Sequence, residues 1–130
     1  MMPISRKKEA FNYHKKISHN KTKKRENALE KQMLIDLERQ ISLHVGQFLV
    51  LTEEGDLTQI ALAHQKAKSE FLKHSAEMSR LALQLGGEIS YVVADFLSSV
   101  DEVLHNPMLD EEKISRCFQT AQRLQAELKN

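Results

Sequence analysis

The sequence predicts an all-α protein: an antiparallel four-helix bundle with a long helix 1–helix 2 hairpin and a basic N-terminal arm. Three observations carry this expectation. Within four stretches between Leu34 and Leu128, residues of one face recur at steps of three and four, the period of helix faces turned toward partners. Only four Gly, two Pro and no Trp occur in 130 residues, too few turn formers for a many-stranded sheet. The breaks at Gly55, at Gly86-Gly87 and in "HNPMLD" are short, which sets successive helices side by side and antiparallel.

Residues 1–25 read as the arm and residues 26–130 as the bundle domain. The arm holds nine Lys/Arg against Glu9 alone, a net +8, whereas the remainder holds ten basic and seventeen acidic residues, a net −7. With little apolar content and no sustained period, the arm is expected to be flexible on its own. Phe11, Tyr13 and Ile17 supply a short helical face once it is bound.

The first helix is expected to begin near Asn27, where Glu30 follows at the spacing of a capping box. Its seam reads Leu34, Leu37, Ile41, His44, Phe48, Leu51, and Gly55 is expected to close it in a left-handed conformation. The second helix starts at Asp56, with Gln59 repeating the capping logic. Its seam is Leu57, Ile60, His64, Ala67, Phe71, His74, Met78, Leu81, Leu85, and Gly86-Gly87 interrupts it. A third helix from about Glu88 to His105 carries Ile89, Val93, Phe96, Val100 and Val103. Pro107 pushes Asn106 out of helical geometry. The fourth helix then opens on Asp110 as cap, with Leu109 and Ile114 as a hydrophobic staple. Ile114, Cys117, Ala121, Leu124 and Leu128 form its inner face.

Histidines on the seams raise the question of chemistry. His64 and His74 lie ten helical residues apart, about 15 Å of rise, too far to share one metal ion. Folding the hairpin back about Gly55 brings His44 within a turn of His64. No Asp, Glu or Cys falls at a matching seam position to complete a metal site, and the Glu-x-x-His pairs of di-iron bundles are absent. The expectation is therefore packing, with no metal and no cofactor.

"AKSEFL", Ala67 to Leu72, resembles the run that leads into the acceptor histidine of sensor histidine kinases, a family that transfers a phosphoryl group on a helical-hairpin dimer. Counting on from Phe71, that acceptor position falls on Glu77, and Leu81-Ala82 stands where the family has Thr-Pro. "HQKAK" is similar to the His-x-x-Lys-Gly of histidine-phosphotransfer domains, four-helix bundles of this size. This resemblance implies His64 as phosphoacceptor, with Lys68 on the same helix face.

No Gly-rich phosphate loop, paired CxxC or serine nucleophile motif occurs, so no catalytic residue is assigned. Cys117 sits on an apolar face and reads as a packed thiol; a single cysteine excludes an internal disulfide and fits a reducing cytoplasm. No apolar run reaches the length of a membrane span. The long hairpin is expected to overhang the shorter helices and to leave Leu34, Leu37 and Met78 uncovered for a protein partner, a second copy of the chain included. The expected function is that of a small non-catalytic interaction module, an adaptor or regulator, with the arm as a second contact. The alternative is sequence-blind nucleic-acid binding through Lys15, Lys16, Lys21, Lys23, Lys24 and Arg25, whose charges neutralise phosphates.

Overall fold

The computed structural model describes the backbone of residues 13–105 and 110–129, and the side chains of these from residue 27 onward. Four helices follow in order: α1 Tyr13–Glu54, α2 Leu57–Leu85, α3 Gly87–His105 and α4 Glu111–Lys129. No strand occurs among the described residues. The chain divides into two units, residues 1–30 and residues 31–130, and the second is the bundle.

Each reversal has a local cause. Gly55 donates its N–H to the Leu51 carbonyl, and Asp56 turns extended and accepts the Gln59 N–H on its side chain at 2.8 Å. Asp56 is thus the expected cap, which satisfies one of the orphan donors of the new helix. Gly55 is not left-handed, contrary to expectation. A Cβ there would stand 3.0 Å from the Leu51 carbonyl oxygen, so crowding rather than backbone sign selects glycine. At the next turn the sign does matter. Gly86 (φ 66°) and Gly87 (φ 58°) both occupy the left-handed region, and Gly86 returns its N–H to Ala82. At the fourth helix Asp110 accepts the Glu112 N–H on its side chain and the Ile114 N–H on its carbonyl. The Leu109 half of the expected staple and Pro107 lie outside the described residues.

Unlike the expected start near Asn27, α1 extends back to Tyr13. No Gly or Pro stands between Pro3 and Gly46, so nothing in the covalent chain stops the helix at Asn27.

The core joins Leu34, Ile41, Val45 and Phe48 of α1 to Ala67, Phe71, Met78, Leu81 and Ala82 of α2. Val92, Val93, Phe96, Val100, Val103 and Leu104 of α3 and Cys117, Leu124 and Leu128 of α4 complete it. On α3 and α4 the expected Val93, Phe96, Val100, Val103, Cys117, Leu124 and Leu128 are buried, Ile89, Ile114 and Ala121 are half-buried, and Val92, Ser99 and Leu104 are buried as well. On α1 the buried line runs 34, 38, 41, 45, 48, and Leu37, His44 and Leu51 only flank it. The burial axis is rotated because α1 faces α4 as well as α2: the Gln125 amide of α4 donates to Glu38 at 3.1 Å. Leu57, expected on the α2 seam, is 85% exposed.

The expected overhang lies at the other end of the hairpin. Leu34 and Met78 are fully buried and Leu37 is packed partly against the core. Because α3 starts two residues after α2 ends, its 19 residues cover the C-terminal part of α2, whose length is 29. The carbonyl of Leu104, near the end of α3, meets His64. The turns nearest Gly55 therefore project past α3, not those around Met78.

Candidate docking groove

Two features of the bundle hold chemistry that simple packing does not require: a half-buried cluster of ionisable groups between α1 and α2, and an open apolar groove between α1 and α4.

The cluster is centred on Glu70, which the sequence reading overlooked. His74, one turn on, brings Nε2 to 3.3 Å from Glu70 Oε1, and His44 of α1 brings Nε2 to 3.8 Å from the same oxygen. Lys66 approaches the other carboxylate oxygen at 3.9 Å. Burial alone pushes the Glu70 carboxyl up, but Lys73, His44, the hydrogen bond from His74 and Lys66 together outweigh it and hold it below the ordinary value. The His44 Nδ1 atom is buried without a hydrogen-bond partner. In a neutral ring a proton on Nε2, facing the carboxylate, leaves a lone pair rather than an N–H without a partner at Nδ1. His44 thus meets Glu70, while His64, expected within a turn of His44, packs against Phe48 one turn along α1. The i, i+4 spacings Lys66–Glu70–His74 were the signal in the sequence that marked Glu70. Among the described residues no group of three or more His, Cys, Asp or Glu is spaced to hold a metal ion.

His64 packs its ring against Phe48, with centroids 5.0 Å apart, and its Nε2–H donates to the Leu104 carbonyl. That nitrogen is therefore committed to tying α2 to the end of α3. Lys68 and Ser69 share a shallow depression with it. Cys117 is buried, and burial pushes its thiol up despite the Ser99 hydrogen bond and Arg116, so it stays protonated and a poor nucleophile at neutral pH. The arm cations Lys15, Lys16, Lys21, Lys23, Lys24 and Arg25 carry side chains outside the described residues.

The groove is the larger feature, with a volume of about 990 Å³. Its α1 wall presents Leu43, Gly46, Gln47 and Val50, and α4 contributes Ile114 and Phe118. Leu43, Val50 and Phe118 are each more than half exposed, an arrangement that costs water contact and marks an interaction surface when apolar groups cluster. Gly46 lies in the middle of α1, where glycine is weaker than alanine by roughly 1 kcal/mol. A Cβ at Gly46 would meet nothing within 4 Å. Packing therefore gives no reason for glycine here; the missing side chain deepens the groove floor instead.

Charge at the groove is one-sided. Among the described residues its lining carries two carboxylates, Glu53 and Glu54, and no Lys, Arg or His. Glu111 and Glu112 stand exposed within a turn of Ile114. None of the four has an ion-pair partner among the described residues, whereas Glu102 is paired with Arg116 and Glu88 with Arg123. No helix of the described residues is long and apolar enough to cross a membrane. No family model matches the chain, and neither a curated protein nor a solved structure matches it.

Proposed function

We propose that this protein is a small non-catalytic interaction module whose α1/α4 groove docks an amphipathic helix with a basic flank. One observation carries the reading: exposed Leu43, Val50 and Phe118 surround a glycine floor beside carboxylates that have no ion-pair partner among the described residues. About three turns of α1, from Ser42 to Glu54, line the groove, a length that receives apolar anchors at i, i+3/i+4 and i+7. Carboxylates at one end select cations on the incoming helix and set its direction. Leu34, Leu37 and Met78 take no part, because they support the core. The basic arm is the second contact of the module, and the single packed thiol suits the cytoplasm as its compartment.

A fluorescent synthetic helix of alternating leucine and lysine faces, about 14 residues long, is the probe. It is expected to bind the full chain with a micromolar Kd, while a leucine–glutamate counterpart does not. Gly46→Phe fills the groove into open space and is expected to weaken binding at least about tenfold. Equal binding to Gly46→Phe and to the unaltered chain would refute the reading.

A further inference from the structure

We infer that the occupant of the groove is the basic arm of a second copy of this chain, two chains pairing reciprocally so that each arm lies along the other's α1/α4 groove. This deepens the docking reading and rests on it.

The outer face of α1 carries an exposed line at positions 29, 32, 36, 40, 43, 47, 50 and 54, at steps of three or four, whose last four members line the groove. Leu29, Leu43 and Val50 on it are exposed, and Leu29 is 64% so. The acidic members, Asp36 and Glu54, have no ion pair among the described residues; Asp36 only accepts from Gln32. The arm carries the complementary pattern in its sequence. Laid antiparallel as sequences, residues 7–25 of one chain and 36–54 of the other pair Phe11 with Val50, Lys7 with Glu54, Lys8 with Glu53 and Arg25 with Asp36, with Ile17 beside Leu43. Sliding the register by one turn in either direction sets Lys7 or Lys15 against Val50, which desolvates an ammonium on an apolar surface. One register therefore satisfies both the apolar and the charge pattern.

Electrostatics favour the same occupant. An arm of net +8 and a remainder of net −7 attract between copies, and a reciprocal exchange closes on itself as a two-fold dimer instead of growing into a filament. A second copy needs no partner of unknown chemistry.

The test is sedimentation of the full-length chain at roughly 100 µM, in about 50 mM and about 500 mM salt. A dimer that weakens with salt is expected. Glu53→Lys with Glu54→Lys, and separately Lys7→Glu with Lys8→Glu, are each expected to raise the dimer Kd at least about tenfold. Combining all four substitutions is expected to restore it to within about threefold. A folding defect does not mimic that restoration. A chain that stays monomeric, a dimer indifferent to both charge reversals, or an arm that binds only short duplex DNA would overturn the inference. In each of those cases, leucine–lysine peptide binding that Gly46→Phe still blocks leaves the docking reading standing; loss of that binding as well removes both.

Discussion

Three glycines sit in three different environments, and alanine at each is expected to shift stability in a different direction. At Gly46 the backbone is helical and the space for Cβ is empty. Gly46→Ala thus removes unfolded-chain entropy without a steric penalty, a gain of about 0.5–1 kcal/mol. For a domain of this size that amounts to a Tm about 2–6 °C higher. At Gly55 the new methyl would stand 3.0 Å from a backbone oxygen and 3.1 Å from Leu51 Cδ2. The backbone oxygen yields only if the turn shifts, so Gly55→Ala is expected to lower Tm. At Gly86 space is free but φ is 66°. With ψ at −165° as well, the backbone lies in a region open essentially to glycine alone, where alanine costs about 1–3 kcal/mol, and a loss of several degrees follows. Thermal melts of the three variants, followed by helical circular dichroism under one set of conditions, separate these causes. A Gly46→Ala variant that melts below the unaltered chain would sink the reasoning, since the groove floor would then not be the open surface described here.

The buried face gives further expectations. Met78 is fully buried whereas Leu57 is solvent-facing; Met78→Ala is expected to cost about 2–5 kcal/mol and Leu57→Ala less than about 0.5 kcal/mol in urea titrations. Similar losses at the two positions would contradict the placement of the overhang. The Glu70 carboxyl, faced by His44, His74, Lys66 and Lys73, is held below its ordinary 4.5, so the stability it contributes is complete above that value and is lost as pH falls through the lower folded value. Melting temperatures of the unaltered chain and Glu70→Gln should accordingly converge as pH falls below 4.5; a separation that widens in acid refutes the assignment. Cys117, raised by burial, is expected to react with an aromatic disulfide reagent at pH 8 only as fast as the chain unfolds, and burst labelling of the native protein would show an accessible thiolate.

Much of this fold is legible from residue spacing. Asp56 and Asp110 are found as caps because each lies at the spacing where its side chain reaches a free N–H, and the paired glycines mark the second turn because only they enter the left-handed region cheaply. The inner faces of α3 and α4 follow the apolar period in the main, with Val93, Phe96, Val100, Val103, Cys117, Leu124 and Leu128 buried, while Val92, Ser99 and Leu104 are buried outside the expected line. The start of α1 was not legible, since a capping pattern such as Asn27–Glu30 acts only where the preceding residues leave the helix, and Lys/Arg-rich sequence without Gly or Pro has no reason to do so. Glu38 and Glu70 were missed for a common reason. Period arguments treat carboxylates as solvent-facing, yet Glu38 is 1% exposed, held by Ser42 and Gln125. The groove left a trace that the seam obscured: Leu43 and Val50 repeat every seven residues on the side of α1 away from His44 and Leu51.

The position of that groove follows from helix lengths and from where α1 is anchored. A third helix that turns back directly from Leu85 and ends against His64 leaves Leu57 to Ala63, about 10 Å of hairpin at the Gly55 end, without its cover. At that end α1 has to be held by other means. Close backbone packing joins α3 to α4 and to α2, whereas α1 stands off across the large side chains Leu34, Ile41 and Phe48. Its lateral position depends on two carboxylate contacts as well, Glu38 to Gln125 of α4 and His44 to Glu70 of α2. Such contacts fix register more than they add stability, because the desolvation of each carboxylate offsets most of the attraction it gains. Both lie on the core side of α1, so its outer line and its α4-facing edge beyond Ser42 remain free. An α1 pinned from within and bare without is what a docking helix needs: the groove keeps its width before the partner arrives, and the partner does not have to order it on binding.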